Sequence, residues 1–363
     1  MTISQLKKII QDCGVVGAGG AGFPTHLKID ARAKTILLNC AECEPLINVD
    51  RFLLENYTSE ILLALKHLSG VLDADVVIAV KKTYKTAIIS VNERIASCPR
   101  FRLGLLEPVY PAGDEVLLIY ETLGLVVPPG AFPIDIGCVV FNVETMYNIH
   151  NAIELASPVT KKWVTIAGEV ENSCIKLFSI GTTITEALTA AGRITTENPT
   201  YFINGLMMGK TASDADTITK TTNAILVLPT AHLVAKNLNI DFNRAASACC
   251  QCRSCTDMCP RHLLGYPIEP HRIMRAMCAK DPTSDSFVGA MYCCLCGICE
   301  KIACPQSLAP RNLISVFKNE LTKSGIKAIK QSKYQVSPML PYRKVDASRL
   351  KIRLGLAKYE VPV

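Results

Sequence analysis

Seventeen cysteines stand in this 363-residue chain; ten fall into two short, similar runs, and eight of those keep a repeating spacing. CCQCRSCTDMCP places Cys249, Cys252, Cys255 and Cys259 at C-x2-C-x2-C-x3-C, with Pro260 behind them. CCLCGICEKIACP places Cys293, Cys296, Cys299 and Cys304 at C-x2-C-x2-C-x4-C, with Pro305 behind. A [4Fe–4S] cube needs four thiolates, and one tight loop can supply three when they recur every third residue. Zinc is the rival, because C-x2-C pairs also build zinc ribbons. A zinc ion takes two such pairs, and has no use for a third cysteine at the same step or for the trailing proline. The spacing therefore predicts two [4Fe–4S] clusters. Cys250 and Cys294 break the period and are expected as packed bystanders.

Where two clusters share such a module, the distal cysteine of each run crosses to the other cluster. That rule assigns Cys249, Cys252, Cys255 and Cys304 to one cube, and Cys293, Cys296, Cys299 and Cys259 to the second. His262 and His271 could ligate a metal or a corrin, but eight thiolates already complete two cubes. A second chemical stretch lies at the other end of the chain, where Gly17-Ala-Gly-Gly-Ala-Gly22 is followed by Phe-Pro-Thr-His. It contains G-x-G-x-x-G, but a helix precedes it and Pro24 follows at once, so the strand–turn–helix setting of a dinucleotide fingerprint is missing. Four glycines in six residues still leave the backbone bare enough to approach a phosphate or a flat ring. Lys28 stands just beyond, placed for a phosphate charge. Glu42 and Glu44, pinned by Pro45, follow a short apolar run as a third candidate.

The elements that must position these groups read as follows. Ile3, Leu6, Ile9, Ile10 and Cys13 share one face of an opening helix. Thr35–Asn39 is a buried strand ending beside Glu42 and Glu44, and ligands of open α/β sheets gather beyond such ends. A long helical segment over Phe52–Leu68, a strand Val76–Val80 and a helix near Lys85–Ala96 come next. Asp114 and Glu115 open a further helix and complement its dipole. Gly137–Val143 is a strand running into Asn142-Val-Glu-Thr145. The alternation predicts an α/β domain with a mainly parallel sheet. Trp163–Val170, Phe202–Gly205 and Ala224–Leu228 are strands of a separate unit over 163–230, with a threonine-capped helix after Gly181. No catalytic group is apparent there, and Met207-Met208 reads as core. His271–Cys278 and Phe287–Tyr292 are short helical pieces between the cysteine runs.

Hydrophobic residues make up 49% of the chain, and mean hydropathy is +0.24. That is enough for two or three domains. No apolar run approaches the roughly 18–20 residues of a membrane span, and no secretory leader is expected from the opening residues. Clusters and scattered thiols point to a reducing cytoplasm. The net charge of +7 is concentrated at the end: residues 321–363 hold ten Lys or Arg against Asp346 and Glu360. A solvated basic tail is expected there, or a docking segment for an acidic partner. Nucleic acid is not, because the first 320 residues sum to about −1 and carry no binding module.

Taken in order, GAGGAGFPT-x2-K, N-x2-E-x-E-P and NVET resemble the flavin subunit of respiratory complex I and its relatives, the RnfC subunits and the PduS-type cobalamin reductases. YPAGDEVL at 110–117, CRSCTDMCPRHLLG at 252–265 and the four-residue gap before Cys304 resemble the PduS type in particular. The resemblance spans nearly the whole chain. It implies a Rossmann-like FMN and NADH-binding domain over 1–158, an SLBB or β-grasp domain over 159–235, an α-helical two-cluster ferredoxin-like domain over 236–320 and the basic tail over 321–363. It implies that Gly17, Gly19, Gly20, Gly22 and Lys28 hold the FMN phosphate and ring. Asn39, Glu115, Asn142 and Thr145 join the cofactor-binding set, and Glu42 and Glu44 lie where flavin and nicotinamide meet. Ala18 and Ala41 replace an arginine and an acidic residue of the complex I subunit, and Ile29-Asp30 lack the phenylalanine that stacks on adenine there. FMN is thus better supported than NADH. The barrel-sandwich domain of PduS and RnfC proteins is missing, so the chain is expected to be a truncation or a natural short form.

The function implied is an NADH-dependent reductase passing electrons from NADH to FMN, through two [4Fe–4S] clusters, to an acceptor. By resemblance the acceptor is cobalamin, in a system that reactivates a B12-dependent dehydratase. The implied partners are cobalamin or a cobalamin-handling protein of adenosyltransferase type, and a bacterial microcompartment shell or other redox subunits. Two alternatives stay open: an RnfC-like electron-input subunit of a membrane complex, and a flavin-free relay or scaffold.

Overall fold

The computed structural model describes residues 1–232, 238–278 and 285–362. The expected domain junction at 235/236 lies outside the described residues. Two compact units are present. The first holds Met1–Leu125, residues 133–232 and the chain end from Gly355; the second holds Val126–Phe132 and the stretch up to Leu354.

The first unit opens with helix α1 (Ile3–Asp12), started by a capping box in which Thr2 and Gln5 satisfy each other's backbone amides. Its apolar face buries Leu6 and Ile10. A four-stranded parallel sheet follows, in the order β3 (Phe101–Leu106), β2 (Asp75–Lys81), β1 (Thr35–Cys40), β5 (Cys138–Asn142); the two-residue β4 (Val109–Tyr110) precedes β5 in the chain and lies outside this sheet. Ile36, Leu37 and Leu38, like Val76, Val77 and Ile78, are consecutive and all buried. Continuous burial of this kind requires cover on both faces, as parallel sheets with crossover helices provide. The helices are α2 (Val49–Asn56), α3 (Thr58–Leu72), α4 (Lys85–Ile95), α5 (Glu115–Leu123) and α6 (Val143–Leu155). The single long helix expected over Phe52–Leu68 is two helices. The break is at Tyr57, whose backbone leaves helical geometry (φ −127°, ψ 34°) while its ring packs against Tyr147 and Trp163 at 4.9 and 6.0 Å.

A second sheet in the same unit has the order β7 (Cys174–Ser179), β6 (Lys161–Gly168), β10 (Ala224–Pro229), β8 (Pro199–Ile203), β9 (Lys210–Ala212). Its central strands β6 and β10 are parallel and all other pairs are antiparallel. Helix α7 (Ile184–Leu188), capped by Thr183 and Glu186, buries Ile184, Ala187 and Leu188 against Val164, Ile166, Ile225 and Val227. Gly168 turns out of β6 at φ +106°, where a Cβ would sit 2.0 Å from the Val227 carbonyl oxygen. Of the methionine pair, Met207 is core as expected, whereas Met208 is half exposed.

The second unit is helical: α8 (Leu238–Ala248), the short α9 (Ser254–Asp257) and α10 (Pro260–Leu263), α11 (Pro270–Cys278), α12 (Pro310–Lys323) and α13 (Ala347–Arg353). Phe287 and Phe317 stack at 4.9 Å, and the hydroxyls of Tyr266 and Tyr292 donate to Val127 and Ile329 carbonyls at 2.7 Å. Of the stretch expected as a solvated tail, 326–337 has no regular structure and is largely exposed, as expected of a solvated segment, whereas the part from Leu340 on is folded. Leu340 and Leu350 are buried, and Asp346 caps α13. In the first unit, Lys358 and the Tyr359 hydroxyl bind the Glu169 carboxylate at 2.6 and 2.7 Å, with Leu356 fully buried beside them. Burial of Leu340, Val345, Leu350, Leu356 and Tyr359 holds this last part down despite its charge, while Ile329, Tyr342 and Ile352 stay exposed.

Candidate functional site: a crevice at the strand-order reversal and two sulfur-lined hollows

Strands β1, β2 and β3 succeed one another in one direction, and the chain then returns to place β5 on the other side of β1. The crevice beyond the carboxyl ends of β1 and β5 is where such sheets hold ligands. Asn39 and Asn142 face each other across this reversal in register. The Asn39 amide donates to the Gly113 carbonyl at 2.9 Å and accepts from the Ala41 amide at 3.1 Å. Asn142 caps α6 by accepting from the Thr145 amide at 3.3 Å, and its side-chain nitrogen donates to Asp50 at 2.6 Å.

The glycine loop closes on itself through Gly17 N–H to Phe23 O at 2.8 Å and Gly22 N–H to Gly17 O at 3.1 Å. It is fastened to α6 by the Ala18 amide donating to Thr145 Oγ1 at 2.9 Å. Gly19 lies on Asn142, where a Cβ would come within 3.3 Å of the side-chain nitrogen. Gly19 and Gly20 are exposed, so their backbone remains open to a ligand. Lys28 does not project into open space: its ammonium meets Glu115 at 2.8 Å and the Val140 carbonyl at 2.9 Å. The structure thus brings Gly17, Gly19, Gly20, Gly22, Asn142 and Thr145 together, and Lys28 with Glu115.

The two glutamates of the Asn39–Pro45 turn have different fates. Glu44 reaches the second sheet, where its carboxylate accepts from the Met207 amide at 2.6 Å and the Met208 amide at 3.2 Å. Gly205, at φ +89°, makes this possible, because a Cβ there would fall 2.1 Å from the Glu44 side chain. Glu42 turns inward. One oxygen accepts from the Asp50 amide at 3.3 Å, and the other, Oε2, is buried with no hydrogen-bond partner. Burial and the nearby Asp50 charge push its carboxyl up to about 8. Asp50 is pushed up to about 7, chiefly by burial and against the Asn142 hydrogen bond. Beside them Glu144 forms a buried ion pair with Lys162, each side chain 1% exposed, and accepts from the Trp163 amide at 3.0 Å.

Asp50, Lys81 and Lys162 have no mark in the sequence. Asp50 reads as an ordinary first-turn acid of a helix, and Lys162 as the solvated start of a strand. The exposed bare loop and the orphaned Glu42 oxygen at the strand ends fit a bound flavin.

In the second unit Cys249, Cys252, Cys255 and Cys304 line one hollow, and Cys259, Cys293, Cys296 and Cys299 line another. The two loops take the same unusual backbone at equivalent positions. Gln251 and Arg253 have φ +56° and +66°, and Leu295 and Gly297 have +57° and +80°. Three of these four are not glycine, and the left-handed turns curl successive cysteines toward one centre. Leu295 N–H points to Cys293 Sγ at 3.3 Å and Leu308 N–H to Cys304 Sγ at 3.4 Å, the kind of contact that tunes cluster potential. Among the described residues no three Cys, His, Asp or Glu groups converge as a single ion would need. The sulfurs surround a volume instead, which fits a cube with iron at its corners.

Cys250 lines the first hollow and is exposed rather than packed; Cys294 lines the second. His262 and His271 spend their Nδ1 atoms on Ile268 O at 3.0 Å and Thr256 Oγ1 at 2.7 Å. Burial pushes the Cys255 thiol up to about 12 and the Cys293 thiol up to about 11.

Residues 10–151 match the Nuo51 FMN-binding domain, and residues 248–309 match a 4Fe-4S dicluster domain. The chain is 36% identical over 366 residues to the cobalamin reductase PduS of Citrobacter freundii, spanning 98% of this chain and 79% of that one. With the same protein of Salmonella typhimurium it is 35% identical over 371 residues, spanning 99% and 80%. A component of the ion-translocating oxidoreductase complex of Buchnera aphidicola is 32% identical over 309 residues, or 83% of this chain and 62% of that one. Among solved structures, an NAD+-reducing [NiFe]-hydrogenase in the H2-reduced state superposes with a TM-score of 0.58 at 19% identity, over 86% of this chain and 60% of that one. That likeness concerns the fold. With more than a third of its residues shared along nearly its full length, the chain belongs to the PduS cobalamin reductase family.

Proposed function

We propose that this protein is an NADH-dependent flavin/iron–sulfur reductase whose acceptor is oxidised cobalamin. The observation that carries the reading is the near full-length likeness to two cobalamin reductases in a chain whose cysteines surround two separate hollows. FMN supplies the step between paired and single electrons, a task that belongs to the cofactor and not to side chains. The protein's part is to hold and shield. Gly17, Gly19, Gly20 and Gly22 offer backbone to the cofactor, with Asn39, Glu115, Asn142, Thr145 and Lys28 around it. Lys28 is neutralised by Glu115, so phosphate binding would draw on the exposed backbone or on a shift of that ion pair. Glu42 and Glu44 are the groups proposed for the nicotinamide side. The crossed sets, with Cys304 joining Cys249, Cys252 and Cys255 and with Cys259 joining Cys293, Cys296 and Cys299, are the proposed cluster ligands.

The second sheet, with its parallel central pair and single packed helix, supports an SLBB-type β-grasp domain over 159–235. A place inside a bacterial microcompartment and a partner of adenosyltransferase type are parts of the same proposal, and both rest on the family. No helix among the described residues is long and apolar enough to cross a membrane.

The likeness to a component of an ion-translocating complex supports a second reading, electron input to a membrane assembly. Anaerobic cofactor analysis followed by NADH titration with and without hydroxocobalamin separates the two. The purified protein is expected to hold iron, sulfide and flavin, and to reduce hydroxocobalamin alone. Flavin reduction by NADH without any cobalamin reduction would favour the membrane-assembly reading; absence of flavin bands would remove both.

A further inference from the structure

Below the crevice, buried carboxylates outnumber buried cations. Asp50 and Glu144 are 9% and 1% exposed, Lys81 and Lys162 are 6% and 1%, and Glu42 adds an inward carboxyl with a buried oxygen. Lys162 is committed to Glu144 and to Asn223 Oδ1, the latter at 2.7 Å. Lys81 donates to the Glu42 backbone carbonyl. Other charged or titratable groups nearby do not alter this balance. Arg51 pairs with Glu55 at 3.1 Å and lies 5.0 Å from the Tyr84 ring. Tyr84, Cys40 and Cys43 are held neutral by burial, and Glu44 is bound by two amides of the second sheet.

Three carboxylates against two ammonium groups leave one negative charge with no partner and little water. Such a site takes up a proton. Glu144 is not its seat, since one oxygen meets Lys162 and the other the Trp163 amide. Glu42 and Asp50 remain, joined through the Asp50 amide, and only Glu42 has a buried oxygen without a donor.

We propose that Glu42 and Asp50 share one exchangeable proton at neutral pH, and that this pair is the proton donor and acceptor of the flavin crevice. The second half rests on the flavin reading above. Reducing a flavin with one hydride calls for one further proton, and withdrawing the two electrons singly frees two. The Glu42 carboxyl gives its proton as the hydride arrives and regains one as the electrons leave. The other proton passes to water, so protons and charge balance over the cycle. Two carboxyls near neutrality suit that exchange, since a donor works best with a pKa close to the operating pH.

The test is infrared spectroscopy of the holoprotein at pH 7, reading the C=O stretch of protonated carboxyls. One band is expected, and the charge count dictates how variants change it. Glu42→Gln or Asp50→Asn leaves two carboxylates with two ammonium groups, so either change alone should abolish the band. Lys162→Met leaves three carboxylates with one ammonium group, so the band should grow roughly twofold. The two isosteric changes remove the band and the lysine change enlarges it, so loss of folding in one variant leaves the others to decide. No band in the wild type, or one that survives both isosteric changes, would overturn the shared proton. On NADH addition the band should bleach in step with flavin absorbance. A band unmoved while flavin is reduced would overturn the donor role. A protein with the band but no flavin would refute the flavin reading and leave the shared proton standing.

Discussion

Replacing Lys162 by methionine probes how the first unit is held together. The ammonium it removes sits 1% exposed against an equally buried Glu144. Water cannot replace the lost partner. Breaking a buried pair from one side costs about 3–5 kcal/mol, because the surviving charge stays desolvated. At pH 8, above the value of about 7 to which the Asp50 carboxyl is raised, Asp50 adds like charge nearby, which places the expected loss toward the upper end. With a urea m-value of about 2 kcal/mol/M, the midpoint should fall by about 2 M. Trp163 is the sole tryptophan; its amide binds Glu144 and its ring lies 5.1 Å from Phe52, so its fluorescence reports this transition locally. The effect should depend on pH with a definite sign. Below its raised pKa the orphaned Glu144 carries a proton and is neutral, so the loss should be smaller at pH 5 than at pH 8. Adding Glu144→Leu removes the stranded charge and should recover most of the loss, less about 1 kcal/mol for the unpaired Trp163 amide. A single-variant loss under about 1 kcal/mol at pH 8, or a double variant as unstable as the sum of its parts, would refute the reasoning.

Two further expectations concern other parts of the molecule. Gly205→Ala places a Cβ 2.1 Å from Glu44 at φ +89°, so it should destabilise by at least about 1–2 kcal/mol; Glu44→Ala should relieve part of that in a double-mutant cycle, and simple additivity would count against the contact. The Glu42 and Asp50 carboxyls, raised to about 8 and 7, hold a proton in the fold that the unfolded chain releases near pH 4. Stability from this pair is therefore complete below about pH 4 and lost as pH rises through 7 to 8, and pH-dependent melting should lose that slope in Glu42→Gln.

The sulfur runs were legible from spacing alone because three ligands of a cube come from one loop, where sequence distance and spatial distance nearly coincide. Which loop the distal cysteines join is not a local matter: Cys304 lines the hollow of the first loop and Cys259 that of the second. Strand and helix alternation also showed through, since continuous apolar runs and short glycine turns are local signals. The helix break at Tyr57 did not, because aromatic packing against Tyr147 and Trp163 draws on residues about 90 and 106 positions away.

Glu42 and Glu44 look alike as letters, two places apart, ahead of one proline. The fold sends one to the amides of a second sheet and the other beneath the crevice beside Asp50. The raised Glu42 carboxyl follows from its place beneath the crevice, since desolvation and neighbouring charge set a carboxyl's state and both are properties of three-dimensional neighbours. What the sequence determined by itself was the inventory: eight thiolates in two hooks, a bare glycine loop and the strands that end beside it. Tertiary structure decided the charge balance. Glu42, Asp50, Lys81, Glu144 and Lys162 come from five separate places in the chain, and only burial makes one proton among them unavoidable.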